Sequence, residues 1–185
     1  MNPLYQAAQE VSTFMTSQRW AFCIIGGLAV VRWGEPRSTQ DVDLALLTGF
    51  GAEERFADVL LSGFQPRSAT ARSFALQHRV LLVRAANGVP LDIAFAAFPF
   101  EERMIQRVTT FAFAPDCELP TCSAEDLIVL KAFAGRVRDW EDIEMIRSRQ
   151  RNQLDWSLIL EEFKPLAAVK EAPEALTRLT AMAKT

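Results

Sequence analysis

The strongest constraint on how this chain folds lies between residues 20 and 47. An apolar run, Ala21-Phe22-Cys23-Ile24-Ile25, stops at Gly26-Gly27, and a second, Leu44-Ala45-Leu46-Leu47, is entered directly from Asp41-Val42-Asp43. Both runs have the length and character of buried strands. Carboxylates at the mouth of a buried strand are costly unless a partner offsets their charge. Residues two apart in a strand also share a face, their Cα atoms roughly 6.5–7 Å apart. Asp41 and Asp43 therefore project the same way, and a divalent cation is the partner this arrangement first suggests.

The rest of the chain reads as alternating helices and strands, then helices alone. Leu4, Ala7, Ala8, Val11 and Phe14 recur at helical spacing over residues 2–18. Strands are expected at 21–25 and 43–47, with a short helix over 28–33 ended by Gly34-Glu35-Pro36. A helix is predicted at 52–62, a polar loop at 64–72 and a strand over 74–85. Asn87-Gly88 then turns the chain into a return strand at 91–95. A short helix at 98–106, a strand at 108–113 and a loop with a short strand at 115–122 complete this part. Ser123-Ala124-Glu125-Asp126 has the composition of a helix start. Helices follow to Gly135, over about 138–149, and as a pair at 155–169 and 173–183. The pattern predicts an α/β core over residues 1–122, built on a mixed β-sheet flanked by helices. A helical C-terminal part, residues 123–185, is expected to pack on that core.

Composition narrows the chemistry. The single histidine, His78, makes a Ser/His/Asp or Cys/His site a poor fit. Three cysteines, Cys23, Cys117 and Cys122, are an odd number without CxxC spacing, which favours thiols in a reducing compartment. A net charge of −3 argues against a broadly basic nucleic-acid surface. The start, Met1-Asn2-Pro3-Leu4-Tyr5, has no secretory pattern, and no apolar run is long enough to span a bilayer. A cytoplasmic protein without membrane partners is expected.

Asp92 stands among Leu91, Ile93, Ala94 and Phe95, so one strand over it completes a cluster of three carboxylates. Such a cluster repels itself. Mg²⁺, a hard cation that keeps waters and substrate phosphates in its shell, relieves the repulsion. Gly-Gly at a helix start lets the backbone approach phosphate closely. Arg37 and Thr39 lie near enough in sequence to hold phosphate oxygens. Taken singly, each piece has a plainer reading: a tight turn, a solvated strand entry, an edge aspartate. Their conjunction is the signal.

That conjunction resembles the nucleotidyltransferase superfamily with a DNA polymerase beta-like core, which implies an α+β nucleotidyltransferase fold. It is most similar there to the AbiEii/AbiGii-type toxin nucleotidyltransferases and their uncharacterised relatives. The shared segments are Gly26-Gly27-Leu28-Ala29 and Arg37-Ser38-Thr39-Gln40-Asp41-Val42-Asp43, with Leu127 to Lys131, Arg136, Arg138-Asp139 and Asp142 later. The resemblance implies Asp41, Asp43 and Asp92 as metal ligands and catalytic carboxylates, and Gly26 and Gly27 as a triphosphate cradle. Lys131 would steady the triphosphate and Asp139 would orient it or the acceptor. Gly27 stands where such proteins often have serine.

The activity so implied is Mg²⁺-dependent transfer of NMP from an NTP to a hydroxyl. The acceptor is tRNA, protein or a small molecule such as an aminoglycoside, and a toxin role would bring an antitoxin partner. The opposing expectation is a non-catalytic binding or antitoxin-type protein on the same fold. The sequence cluster Arg136, Arg138, Arg147, Arg149 and Arg151 suits either an RNA contact or a solvated helix face.

Overall fold

The computed structural model describes residues 2–35 and 38–184. It begins with helix α1 (Pro3–Ser17), whose start is set by Asn2: its side-chain oxygen accepts the Leu4 N–H at 2.9 Å, and Pro3 supplies the first-turn dihedral. Ala7, Ala8, Val11 and Met15 make its buried stripe. Then come β1 (Phe22–Ile24), α2 (Gly26–Trp33), β2 (Val42–Leu47), α3 (Glu53–Gly63), β3 (Gln65–Pro66), α4 (Ala71–His78), β4 (Val80–Arg84), β5 (Pro90–Ala96), α5 (Pro99–Gln106), β6 (Thr109–Ala114) and β7 (Cys117–Thr121). The helices α6 (Ala124–Ala134), α7 (Val137–Gln150), α8 (Trp156–Lys170) and α9 (Pro173–Met182) follow.

Among the described residues the strands form one sheet, in the order β3-β4-β5-β2-β1-β7-β6. β2 runs parallel to β5 and β1 parallel to β7, while the remaining neighbours are antiparallel, so the sheet is mixed and the fold is α+β. Alternation along β2 and β5 drives Leu44, Leu46, Leu91 and Ile93 fully into the core. It leaves Asp43 and Asp92 on the other, partly open face.

One sequence expectation is corrected here. Residues 74–85 are not a single strand, because α4 occupies Ala71–His78 and β4 begins only at Val80. The break is Arg79, at φ +58°, whose N–H closes on the Ala75 carbonyl. Its guanidinium donates to the carbonyls of Phe95 and Gly49, to the Thr48 hydroxyl and to Glu53. Tertiary hydrogen bonds thus hold a left-handed arginine that local pattern does not announce. The segment expected to be loop, 64–72, also contains β3 and the start of α4.

The chain divides into two compact units, Met1–Ala29 with Ser38–Cys122, and Val30–Arg37 with Ser123–Thr185. The whole sheet lies in the first. In the second, Ser123 caps α6 by accepting the Asp126 N–H at 3.0 Å. Leu127, Ile128, Val129 and Ala132 are buried around most of that helix's circumference. The end of α2 is tied to the end of α7, with Gln150 Nε2 donating to the Trp33 carbonyl at 2.7 Å and Arg149 donating to that of Gly34. No helix of the described residues is long and apolar enough to cross a membrane, and none of the three cysteines forms a disulfide.

Candidate active site

The sheet register builds the site. Asp43 of β2 sits directly opposite Asp92 of the parallel strand β5. Asp41, two residues earlier, falls on the same face. One carboxylate oxygen from each of the three lies within 4.8 Å of the others, and all three residues are half-buried. Asp41, Asp43 and Asp92 are thus brought together as the sequence pattern predicts.

The Gly26-Gly27 turn presses against this cluster. Gly26 has φ +59°, and a Cβ there would stand 1.9 Å from Asp43 Oδ2. A Cβ on Gly27 would stand 2.3 Å from Thr39 Oγ1. Neither approach is tolerable to a real side chain without displacement, so both glycines are required by proximity and the first also by its backbone. The Gly27 N–H, at the start of α2, donates to Asp43 Oδ2 at 3.3 Å, an anion held at a positive helix end. Thr39 donates to Asp41 Oδ1 at 2.9 Å. That contact gives the glycine at position 27 a physical reason: the threonine occupies the room a serine Cβ would need. Arg37 lies outside the described residues.

Arg67 is the site residue that sequence reasoning missed. Its guanidinium Nη1 pairs with Asp92 Oδ1, both side chains 31% exposed. It reaches Asp92 through the register alone: its N–H donates to the Leu82 carbonyl at 3.1 Å, and Leu82 lies opposite Asp92. Nothing local in the 64–72 segment marks it. Burial, the largest influence, pushes the Asp92 carboxyl above its usual range; Arg67 opposes this and the Asp41 charge adds to it, leaving the balance upward.

Lys131 and Asp139 belong to the second unit. Lys131 is 7% exposed and its ammonium lies 3.2 Å from Asp139 Oδ1 and 2.7 Å from Asp142 Oδ2. Arg136 adds hydrogen bonds to Asp139 from its backbone N–H at 3.1 Å and from Nε at 2.7 Å. Burial works to raise the Asp139 carboxyl, but the Arg136 hydrogen bonds and the Lys131 charge outweigh it and hold the group below its usual range.

The donor set of the first unit is all carboxylate oxygen. Its close convergence suits a hard divalent cation rather than a soft one. A turn that admits no side chain beside it also suits an approaching phosphate.

Several solved structures are similar in fold. One is an antigenic nucleotidyltransferase-like protein from Paracoccidioides brasiliensis, at TM-score 0.54 and 17% identity, covering 94% of this chain and 92% of that one. A second is the antibiotic-resistance factor ANT(2'')-Ia, at TM-score 0.55 and 14% identity, covering 94% of each chain. A third is the lincosamide antibiotic adenylyltransferase LnuA with lincomycin bound, at TM-score 0.52 and 12% identity, covering 77% of this chain and 96% of that one. At such identities the likeness is one of fold. Comparison with curated proteins gives no match. The sequence is decisive at family level: residues 2–175 match the family described as nucleotidyltransferase of unknown function (DUF6036), and the chain belongs to that family.

Proposed function

We propose that this protein is a Mg²⁺-dependent nucleotidyltransferase that moves NMP from an NTP to a hydroxyl of a small-molecule acceptor and releases pyrophosphate. The observation that carries this reading is the convergence of Asp41, Asp43 and Asp92 beside the Gly26-Gly27 turn. The acceptor oxygen bonds to the α-phosphorus, the bond from that phosphorus to the pyrophosphate oxygen breaks, and the hydroxyl proton leaves. When bound, Mg²⁺ would supply charge stabilisation for the in-line displacement. Asp41, Asp43 and Asp92 would hold it. Thr39 fixes the Asp41 carboxylate, and the Gly27 N–H fixes that of Asp43. Asp92, opposite Asp43 on the neighbouring strand, would hold the metal or assist removal of the acceptor proton. The resemblance would have Lys131 and Asp139 serve the triphosphate. Their mutual ion pair supports a fixed ammonium rather than a mobile one.

A small acceptor is favoured over RNA or protein by two points. Arg136, Arg147 and Arg149 from the basic run engage Asp139, Glu144 and the Gly34 carbonyl. Two neighbours in fold are also named for antibiotics, one of them with lincomycin bound. The test incubates the protein with each α-labelled NTP, Mg²⁺ and three separate acceptor pools: hydroxylated antibiotics, RNA and protein. Label on a small molecule that disappears with Asp41→Ala supports the proposal. Label confined to RNA or protein overturns the acceptor and revives a toxin role with an antitoxin partner. No label from any NTP overturns the enzyme.

A further inference from the structure

We infer that Arg67 is a built-in counter-ion that competes with the divalent cation for Asp92. The inference rests on the reading of Asp41, Asp43 and Asp92 as a metal site and extends it to how metal entry is controlled.

The geometry singles out this arginine. Among the described residues Arg67 is the sole ion-pair partner of Asp92, and Asp92 is the sole ion-pair partner of Arg67. The pair spans the sheet edge. From Arg67 to the Leu82 position to the Asp92 position is two strand spacings, about 10 Å, and the long side chain crosses that gap over Leu82. Its backbone is anchored by the Leu82 carbonyl, while its head is held by a single Nη1–Oδ1 contact. A guanidinium bound through one nitrogen to a part-exposed carboxylate is a weak and exchangeable pair. It is therefore a placeholder. It offsets part of the repulsion among the three carboxylates while the metal is away, and a divalent charge arriving within the same few ångströms displaces it. The mutual repulsion of guanidinium and metal ensures that both do not hold Asp92 equally. The released head, with its anchored backbone, remains at the rim of the site.

Competition predicts a pair of effects opposite in direction. Without Arg67, the metal-free protein is less stable, because its carboxylates repel more. The same protein binds metal more tightly, because nothing needs to be displaced. An arginine that merely held Asp92 in place would weaken both.

The experiment measures Mn²⁺ binding by calorimetry and free-Mn²⁺ electron paramagnetic resonance, alongside melting with and without Mn²⁺. It compares the wild type, Arg67→Gln, Arg67→Lys and Asp43→Asn. For Arg67→Gln the expected results are Mn²⁺ affinity raised roughly fivefold, a metal-free melting temperature lowered by about 2 °C, and a larger Mn²⁺-induced rise in melting temperature than in the wild type. Arg67→Lys, which keeps the charge, is expected to stay within about twofold of the wild type. Unchanged or weaker Mn²⁺ binding by Arg67→Gln, with the wild type binding normally, overturns the competition alone. So does an Arg67→Lys variant that behaves like Arg67→Gln. A wild type that binds no Mn²⁺, or binds it as well after Asp43→Asn, overturns the metal site and the competition with it.

Discussion

Among the described residues two groups of carboxylates stand out, and they differ in what surrounds them. In the second unit Asp139 and Asp142 meet Lys131 and Arg136, all but Arg136 nearly excluded from water. The Asp139 carboxyl is held below its usual range. In the first unit Asp41, Asp43 and Asp92 meet one another, half-open to solvent, and the Asp92 carboxyl is pushed above its usual range. Similar side chains therefore shift in opposite directions. Burial acts upward on both, and the cations around Asp139 overcome it while Arg67 does not overcome it at Asp92. In the second unit the cations face the carboxylates from within the same group of helices. In the first unit three carboxylate oxygens converge on one another, an arrangement that suits a divalent cation.

The largest effects that would break this contrast lie in activity. Asp43→Asn is expected to lower NMP transfer by about 10³-fold or more while leaving the fold intact, as read from initial rates and circular dichroism. A variant that unfolds would place Asp43 with the structural cluster. Lys131→Met is expected to do the converse, costing about 3–5 kcal/mol by urea titration because the ammonium shared by buried Asp139 and Asp142 is removed. If stability holds and the apparent affinity for NTP falls instead, the ammonium serves the triphosphate.

Backbone effects come next. Gly26→Ala must adopt φ +59° and push Asp43 aside, at a cost of about 2 kcal/mol or more. It is expected to lose Mn²⁺ binding as well, and a variant with normal Mn²⁺ binding would detach the turn from the site.

The pH dependence sharpens the contrast by sign. Asp139 has a folded pKa below the unfolded value near 3.8. Its contribution is full above that value and is lost as pH falls through the folded pKa. Asp92 has a folded pKa above the same reference. Its ionisation costs stability at neutral pH, and that cost is relieved as pH falls through the folded pKa toward 3.8. Metal-free Asp92→Asn is therefore expected to melt above the wild type at pH 6 and to lose its advantage by pH 3.8. Asp139→Asn is expected to melt below the wild type at pH 6 and to converge with it only under more acidic conditions. Matching signs for the two variants would end the distinction. The smallest effect expected is Arg147→Ala, whose surface pair with Glu144 is worth no more than about 0.5 kcal/mol in urea titration.

Much of the site was legible because its parts are close in sequence or carry strong local signals. Gly26-Gly27 and Asp41-Val42-Asp43 flank one helix, and an aspartate amid Leu91, Ile93 and Phe95 stands out by polarity alone. A mixed sheet with flanking helices followed from the two hydrophobic periods, and the Ser123 cap from its composition. Misreading 74–85 had a physical cause. Phe74, Ala75 and Leu76 are as apolar as Val80 to Val83 beyond the polar Gln77-His78-Arg79, and the groups that hold a left-handed arginine between them come from distant Phe95, Gly49, Thr48 and Glu53.

By itself, then, the amino-acid order determined that two carboxylates share a strand face, that a third waits on a later strand, and that glycines stand where a backbone must come close. Those are properties of spacing and residue type, which local geometry translates directly. Tertiary structure alone decided that Asp43 faces Asp92, that Thr39 takes the space beside Gly27, and that Arg67 reaches across Leu82 to the same cluster. Each depends on strand order and register, which are settled by how whole faces bury against one another rather than by any neighbouring residue.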